Sequence, residues 1–197
     1  MRKPAKALVL FTISVLLSNF LPAQNLLPVN GIGNDIKKVI EDYPNHFKNI
    51  SGEIIVQNPQ STDYQCNFKV NGAEETTITH YSSKNDNVCS WQSLLLTTEN
   101  FEKAKQKFKA LFNQLNNLSV HTSTSSTFHL KGVYKIPDEG KTFTSILYSF
   151  VPPDDAIGKL KVELSLQYQL MEWKVRVLVY DKEREDNEKG NAVEELP

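Results

Sequence analysis

Two long stretches near the end of the chain alternate strictly between apolar and polar residues, the pattern of β-strands with one face in water. Residues 159–168 place Leu, Val or Tyr at every second position, with Lys, Glu, Ser or Gln between them. Residues 172–181 repeat the pattern, with Trp173, Val175 and Val177 on one side of the strand. We therefore predict two neighbouring antiparallel strands here.

Six shorter stretches also read as strands, because β-branched or alternating runs are bounded by turn formers. They lie at 53–57, 64–70, 74–82, 91–98, 126–134 and 141–151. Their connections are short, whereas a parallel pair needs a crossover of a dozen or more residues, so we expect antiparallel hairpins. For the second and third strands a three-residue turn at 71–73 predicts Cys66 opposite Ile78 and Tyr64 opposite His80.

Apolar residues recur at helical spacing in two other stretches. Residues 34–43 carry a stripe that follows Asn34, the predicted N-cap, and stops before Pro44. Residues 98–117 carry a longer stripe, with Thr98 as the predicted cap. The pattern predicts an α+β fold: a mainly antiparallel sheet of about seven to eight strands, with one short and one long helix packed on one face.

The first 23 residues have the pattern of an export signal. Three basic residues precede an apolar run over 7–17, and the small Ala23 offers a cleavage site before Gln24. The run is too short to span a bilayer comfortably, so we expect no stable membrane span after cleavage and a secreted or periplasmic product.

The rest of the chain divides by composition. Residues 24–33 read as a spacer and 34–181 as a single α+β domain, with a possible subdomain split near residue 120. Residues 182–197 are dominated by charged side chains, and we predict a disordered acidic tail.

Charge and motifs exclude several functions. The chain has 22 basic and 23 acidic residues, and the predicted signal peptide carries three of the basic ones. The net charge after cleavage is therefore (22 − 3) − 23 = −4. A negative chain has no electrostatic support for nucleic-acid binding. Neither a glycine-rich phosphate loop nor a metalloprotease motif is present in the sequence, and the four histidines are scattered. We expect no cofactor and no metal, since a zinc set of Cys66, His80 and Cys89 lacks a fourth ligand.

Two cysteines in an exported domain predict a disulfide between Cys66 and Cys89. The strand pattern opposes this pairing. If strand 91–98 lies beyond strand 74–82 in a simple meander, Cys89 is about two strand spacings, roughly 9.5 Å, from Cys66. A bridge needs Cα atoms within about 7 Å, so the disulfide requires that the meander be bent or reordered.

Several groups could serve a hydrolase. Cys89 is a candidate nucleophile, although no glycine-rich approach precedes it. Carboxylates occur in the turns at 138–139 and 154–155 and on the strands, as Glu163 and Glu172; the run 121–129 places hydroxyls between two histidines. Turn carboxylates usually cap their own backbone, and the hydroxyl run is typical of a connector.

The function that these observations favour is a non-catalytic binding or interaction module outside the cytoplasm, with an unknown ligand or protein partner. The alternative is an extracytoplasmic hydrolase using Cys89 or a carboxylate.

Overall fold

A computed structural model describes residues 31–82, 88–121, 126–153 and 157–181. The predicted signal peptide (1–23) and acidic tail (182–197) lie outside these residues, as do most of the spacer and the acidic pair at 154–155. None of the helices in the described ranges is long and apolar enough to cross a membrane.

Both predicted helices are present. Helix α1 spans Gly33–Asp42 and continues into a 3-10 turn at Tyr43–Asn45. Helix α2 spans Phe101–Leu115.

Their N-caps differ from the prediction. The N-cap of α1 is Ile32, with no side-chain cap, rather than Asn34. In α2 the cap is Asn100, whose Oδ1 accepts a hydrogen bond of 2.9 Å from the Lys103 N–H, rather than Thr98. Thr98 instead accepts from the Asn100 N–H.

Nine strands in the described part of the chain form one antiparallel sheet. They are β1 (Ser51–Asn58), β2 (Ser61–Cys66), β3 (Glu75–Tyr81), β4 (Cys89–Thr98), β5 (Ser119–His121), β6 (Thr127–Lys131), β7 (Phe143–Val151), β8 (Leu160–Gln169) and β9 (Glu172–Asp181). The order across the sheet is β1-β2-β3-β4-β9-β8-β7-β6-β5. Each half of the chain is therefore a meander, and the two halves join where their last strands, β4 and β9, pair antiparallel.

The predicted α+β class and antiparallel sheet are confirmed, with one strand more than expected. The additional strand is β5, whose three residues pair with β6 at the far edge. Three residues are too few to show a hydrophobic period, so this strand leaves no pattern in the sequence.

One face of the sheet carries the core. Trp91 on β4 lies between Ile78 on β3 and Val179 on β9, and all three are buried. Helix α2 packs against β4, β8 and β9, and α1 contacts β5. Buried residues of both helices belong to the same hydrophobic cluster as the strand residues.

The pairing of β2 with β3 differs from the prediction by two residues. Tyr64 lies opposite Ile78 rather than His80, which keeps both side chains on the core face. The shift arises because β2 ends at Cys66 and the connection is longer than a three-residue turn. Val70 in that connection is buried in the core, and the N–H of Asn71 donates to Asp35 of α1 at 2.9 Å.

Candidate functional site

The predicted disulfide between Cys66 and Cys89 is not formed, because both cysteines are free thiols in the structure. Gln65 lies opposite Thr77, so Cys66 sits at the level of Thr76, whereas Cys89 lies opposite His80. The two cysteines are thus two strand spacings apart, about 9.5 Å, and four residues apart along the sheet, about 13 Å. The simple meander holds, and it excludes the bridge.

The surroundings of Cys89 do not activate a thiol. Cys89 is only 1% exposed, and burial raises its pKa to about 12, with Asp181 and Asp42 adding to the effect and Lys48 opposing it. His80 lies directly across on β3, but burial, with smaller effects of Lys48 and His46, lowers its pKa. A catalytic thiolate–imidazolium pair needs the opposite shifts.

Thiol titration tests this description. The unfolded, unreduced protein is expected to contain two thiols per chain, and Cys89 in the folded protein at pH 8 should react at least about 100-fold more slowly than an exposed thiol. Rates measured on Cys66→Ser and Cys89→Ser variants assign each reaction. Fewer than two thiols in the unfolded protein would contradict this description, because they would show that Cys66 and Cys89 form a disulfide.

Glu163 and Glu172, the strand carboxylates of the hydrolase hypothesis, do not form a catalytic pair. Glu163 accepts a hydrogen bond of 3.0 Å from the Tyr180 hydroxyl and lies opposite Leu178, while Glu172 lies opposite Gln169. Leu178 and Glu172 are six residues apart on β9, so Glu163 and Glu172 lie about 20 Å apart along the sheet. The carboxylates of glycosidases are roughly 5–9.5 Å apart.

The turn acid Asp138 has the predicted structural role. It accepts from the N–H of Gly140 at 3.0 Å, a cap of its own turn. Its use there matches the common role of aspartate in turns.

The histidines of the hydroxyl-rich run lie on the β5–β6 hairpin. Nδ1 of His121 is 3.0 Å from Thr127 Oγ1, and Nδ1 of His129 is 3.0 Å from Ser119 Oγ. Both are cross-strand pairs on an exposed surface. Residues 122–125, which carry most of the hydroxyls of the run, lie outside the described residues. Across the described residues no group of three or more His, Cys, Asp or Glu side chains could hold a metal ion.

A different feature stands out at one end of β7, β8 and β9, where four large apolar side chains are exposed. Leu170 and Met171, in the turn between β8 and β9, are 80% and 78% exposed, and Phe143 and Tyr168 are 51% and 40% exposed. Phe143 lies opposite Gln167, and the N–H of Tyr168 donates to the carbonyl of Thr142, which places them beside the turn. We call these four residues the apolar tip.

The backbone of the apolar tip is strained. Gln169 pairs with Glu172, so Leu170 and Met171 alone form the turn, with φ of 54° and 66°. Positive φ at both positions defines a type I′ turn, which strongly favours Asn and Gly. Each bulky residue in this conformation costs about 1 kcal/mol, so folding gives no reason for Leu-Met at this turn.

Behind the turn the tip is firmly supported. The Tyr168 ring packs against the buried Trp173 with ring centroids 4.9 Å apart, and Trp173 packs equally closely on Phe101 of α2. Rigid support lowers the entropy cost of binding through this end of the sheet.

Sequence reasoning missed the apolar tip, because it treated residues 169–171 only as the connection between two strands. The available signal was the absence of Asn, Gly, Asp and Pro between two perfectly alternating runs.

No family model, no curated protein and no solved structure matches the chain.

Proposed function

We propose that the chain is an exported, non-catalytic binding protein that inserts its apolar tip into an apolar pocket of a partner protein. The observation that carries the proposal is the strained turn, in which Leu170 and Met171 are presented to solvent at a cost to folding. Strained backbone and exposed apolar patches are both typical of contact sites. Export rests on the pattern of residues 1–23.

Charge around the tip favours a protein partner over a lipid surface. Asp138, Glu139 and Glu172 lie in the turn before β7 and at the start of β9, together with Lys141 and Lys174. Arg176, which donates to Gln169 Oε1 at 3.3 Å, is a third base at this end of the sheet, and three acids against three bases give no net attraction to anionic headgroups. An apolar pocket with a mixed polar rim is the protein surface that such a tip fits.

The double variant Leu170→Asn/Met171→Gly tests the proposal, because it creates the favoured type I′ sequence. Its free energy of unfolding is expected to rise by about 1–2 kcal/mol, since the strain is removed. Its affinity for the partner is expected to fall at least about tenfold, since burial of each side chain contributes roughly 1.5–3 kcal/mol. Urea unfolding and calorimetric titration measure the two effects.

The partner is sought by capture from the envelope and culture fluid of the source cells. Immobilised wild-type protein is compared with the turn variant and with a control, Val133→Ser/Ile136→Ser, which removes exposed apolar residues from another loop. A protein retained by wild type and control but not by the turn variant is then purified and titrated. Equal affinity of wild type and turn variant would refute the proposal, as would turn-dependent binding to lipid vesicles instead.

N-terminal sequencing tests the export step, with Gln24 expected as the first residue.

A further inference from the structure

The apolar tip carries the one methionine of the predicted mature chain. The sequence contains two methionines, Met1 and Met171. Met1 lies in the predicted signal peptide, so cleavage before Gln24 leaves Met171 as the one thioether. Its side chain is 78% exposed. An apolar side chain that oxidants convert into a polar one is therefore fully accessible at the tip.

The other sulfur atoms of the mature chain are shielded. Cys89 is 1% exposed, and burial raises the pKa of its thiol to about 12. Cys66 is half-buried, and burial raises the pKa of its thiol as well. Because the thiolate is the reactive form, both thiols react slowly with oxidants at neutral or lower pH. The two indole rings, of Trp91 and Trp173, are also buried.

Oxidation of the Met171 thioether by a peroxide is a two-electron step. The sulfur donates an electron pair to one oxygen of hydrogen peroxide, and an S–O bond forms as the O–O bond breaks. The proton of the transferred hydroxyl passes to the departing hydroxide, which leaves as water. Methionine is thereby oxidised to the sulfoxide, and the peroxide is reduced.

This modification would change the contact surface and spare the core. Met171 lies in the two-residue turn beyond the last pair of β8 and β9, which is Gln169 with Glu172. In the free protein the sulfoxide oxygen would face water, so folding would lose nothing. In an apolar pocket the same oxygen would lack a donor, and a buried polar group without a partner is costly.

We infer that Met171 is a reversible oxidation site, and that its conversion to the sulfoxide by a peroxide weakens binding through the apolar tip. The effect on binding rests on the proposed function, since the partner is the protein whose pocket receives the tip. Sulfoxide reductases convert methionine sulfoxide back to methionine, so the change is reversible.

Hydrogen peroxide at pH 5, where thiolates are scarce, tests the modification itself. The mature chain is expected to gain one oxygen atom, mapped to Met171 by mass spectrometry. Because the side chain is largely exposed, the rate should be within about tenfold of that of free N-acetylmethionine amide. The midpoint of thermal unfolding should shift by less than about 2 °C. Oxidation of Cys66 or Cys89 before Met171, or a slower rate, would refute the inference.

A phenyl resin serves as a defined apolar surface and requires no partner. After removal of the peroxide, the folded oxidised protein is expected to elute earlier than the untreated protein. Met171→Leu keeps an apolar side chain in the turn but has no sulfur, so it should elute at one position before and after treatment. Equal elution of oxidised and untreated wild type would overturn the inference.

The partner protein isolated by capture is then titrated with oxidised and untreated wild type. Oxidation is expected to lower the affinity at least about tenfold, and methionine sulfoxide reductase should restore it. The affinity of Met171→Leu should be the same before and after peroxide treatment. If peroxide weakened this variant as much as wild type, another residue would be the target, and the inference would be wrong.

The inference and the proposed function fail in different ways. Equal affinity of wild type and Leu170→Asn/Met171→Gly would overturn the proposed function and the inference with it. Turn-dependent binding that is equally tight for oxidised and untreated protein would overturn the inference alone.

Discussion

Replacing Trp91 by alanine is expected to lower the free energy of unfolding by about 3–5 kcal/mol. Trp91 is 0% exposed and is among the largest fully buried side chains of the described residues. Its strand, β4, lies in the interior of the sheet and joins the two halves of the chain through β9. Ile78 and Val179 flank the indole on neighbouring strands whose backbones cannot collapse into the space, so a cavity would remain.

Urea unfolding followed by far-ultraviolet circular dichroism measures this loss without depending on the indole signal. Gln92→Ala is the matched control, because the next residue of the same strand points to the opposite face, and its effect should be within about 0.5–1 kcal/mol. Trp91→Phe, which keeps most of the volume, should fall between the two. A loss below about 1 kcal/mol for Trp91→Ala would show that this region is not close-packed.

The sequence pattern predicted the strands of the second half closely, because their faces differ in polarity. Predicted strands 159–168 and 172–181 are observed at Leu160–Gln169 and Glu172–Asp181. Strict alternation determines which side chains are buried, and a one-residue slip would invert them all. Short connections then determine the antiparallel pairing.

The register of β2 with β3 could not be derived in the same way. A two-residue shift leaves every side chain on its own face, so hydrophobic alternation cannot distinguish the predicted register from the observed one. The observed register depends on contacts distant in sequence, such as the hydrogen bond between Asn71 and Asp35 of α1. The pairing of β4 with β9 is also non-local, and nothing in either strand specifies the other.

The cysteines and strand β1 show a second limit of the sequence. Paired cysteines in exported domains usually form disulfides, which favoured a Cys66–Cys89 bridge. The distance between the two residues in the meander excludes that bridge, and both thiols are free. Likewise, β1 has the β-branched composition of a buried strand, yet it lies exposed at an edge. The composition of a strand gives the apolar area that it could bury. Its position in the sheet, central or at an edge, determines whether neighbouring elements cover that area.

The second large effect is expected at Asp42, the last residue of α1. Although it is charged, Asp42 is only 7% exposed. Its carboxylate accepts hydrogen bonds from Nδ2 of Asn45 at 2.9 Å, and from N and Nδ2 of Asn49 at 3.1 Å and 2.7 Å. Three donors therefore converge on one buried acceptor.

These bonds hold a loop with an unfavourable backbone. His46 and Phe47 have φ of 54° and 59°, a left-handed conformation that costs about 1 kcal/mol or more per residue. Phe47 is nevertheless fully buried in the core, so the loop must keep this shape for the ring to stay in place. The carboxylate of Asp42 supplies part of the energy that offsets the strain.

Asp42→Ala is therefore expected to lower the free energy of unfolding by about 2–4 kcal/mol, since hydrogen bonds to a charged acceptor contribute roughly 1.5–3 kcal/mol each and water replaces some of them. Glu41→Ala, at the exposed neighbouring residue, is the control and should change stability by less than about 0.5 kcal/mol.

Asn49→Ala removes one side-chain donor and should cost about 1 kcal/mol. Combining it with Asp42→Ala should cost less than the sum of the single losses, because both remove the same bond. Full additivity in this cycle, or an Asp42→Ala variant as stable as wild type, would show that the carboxylate does not hold the loop.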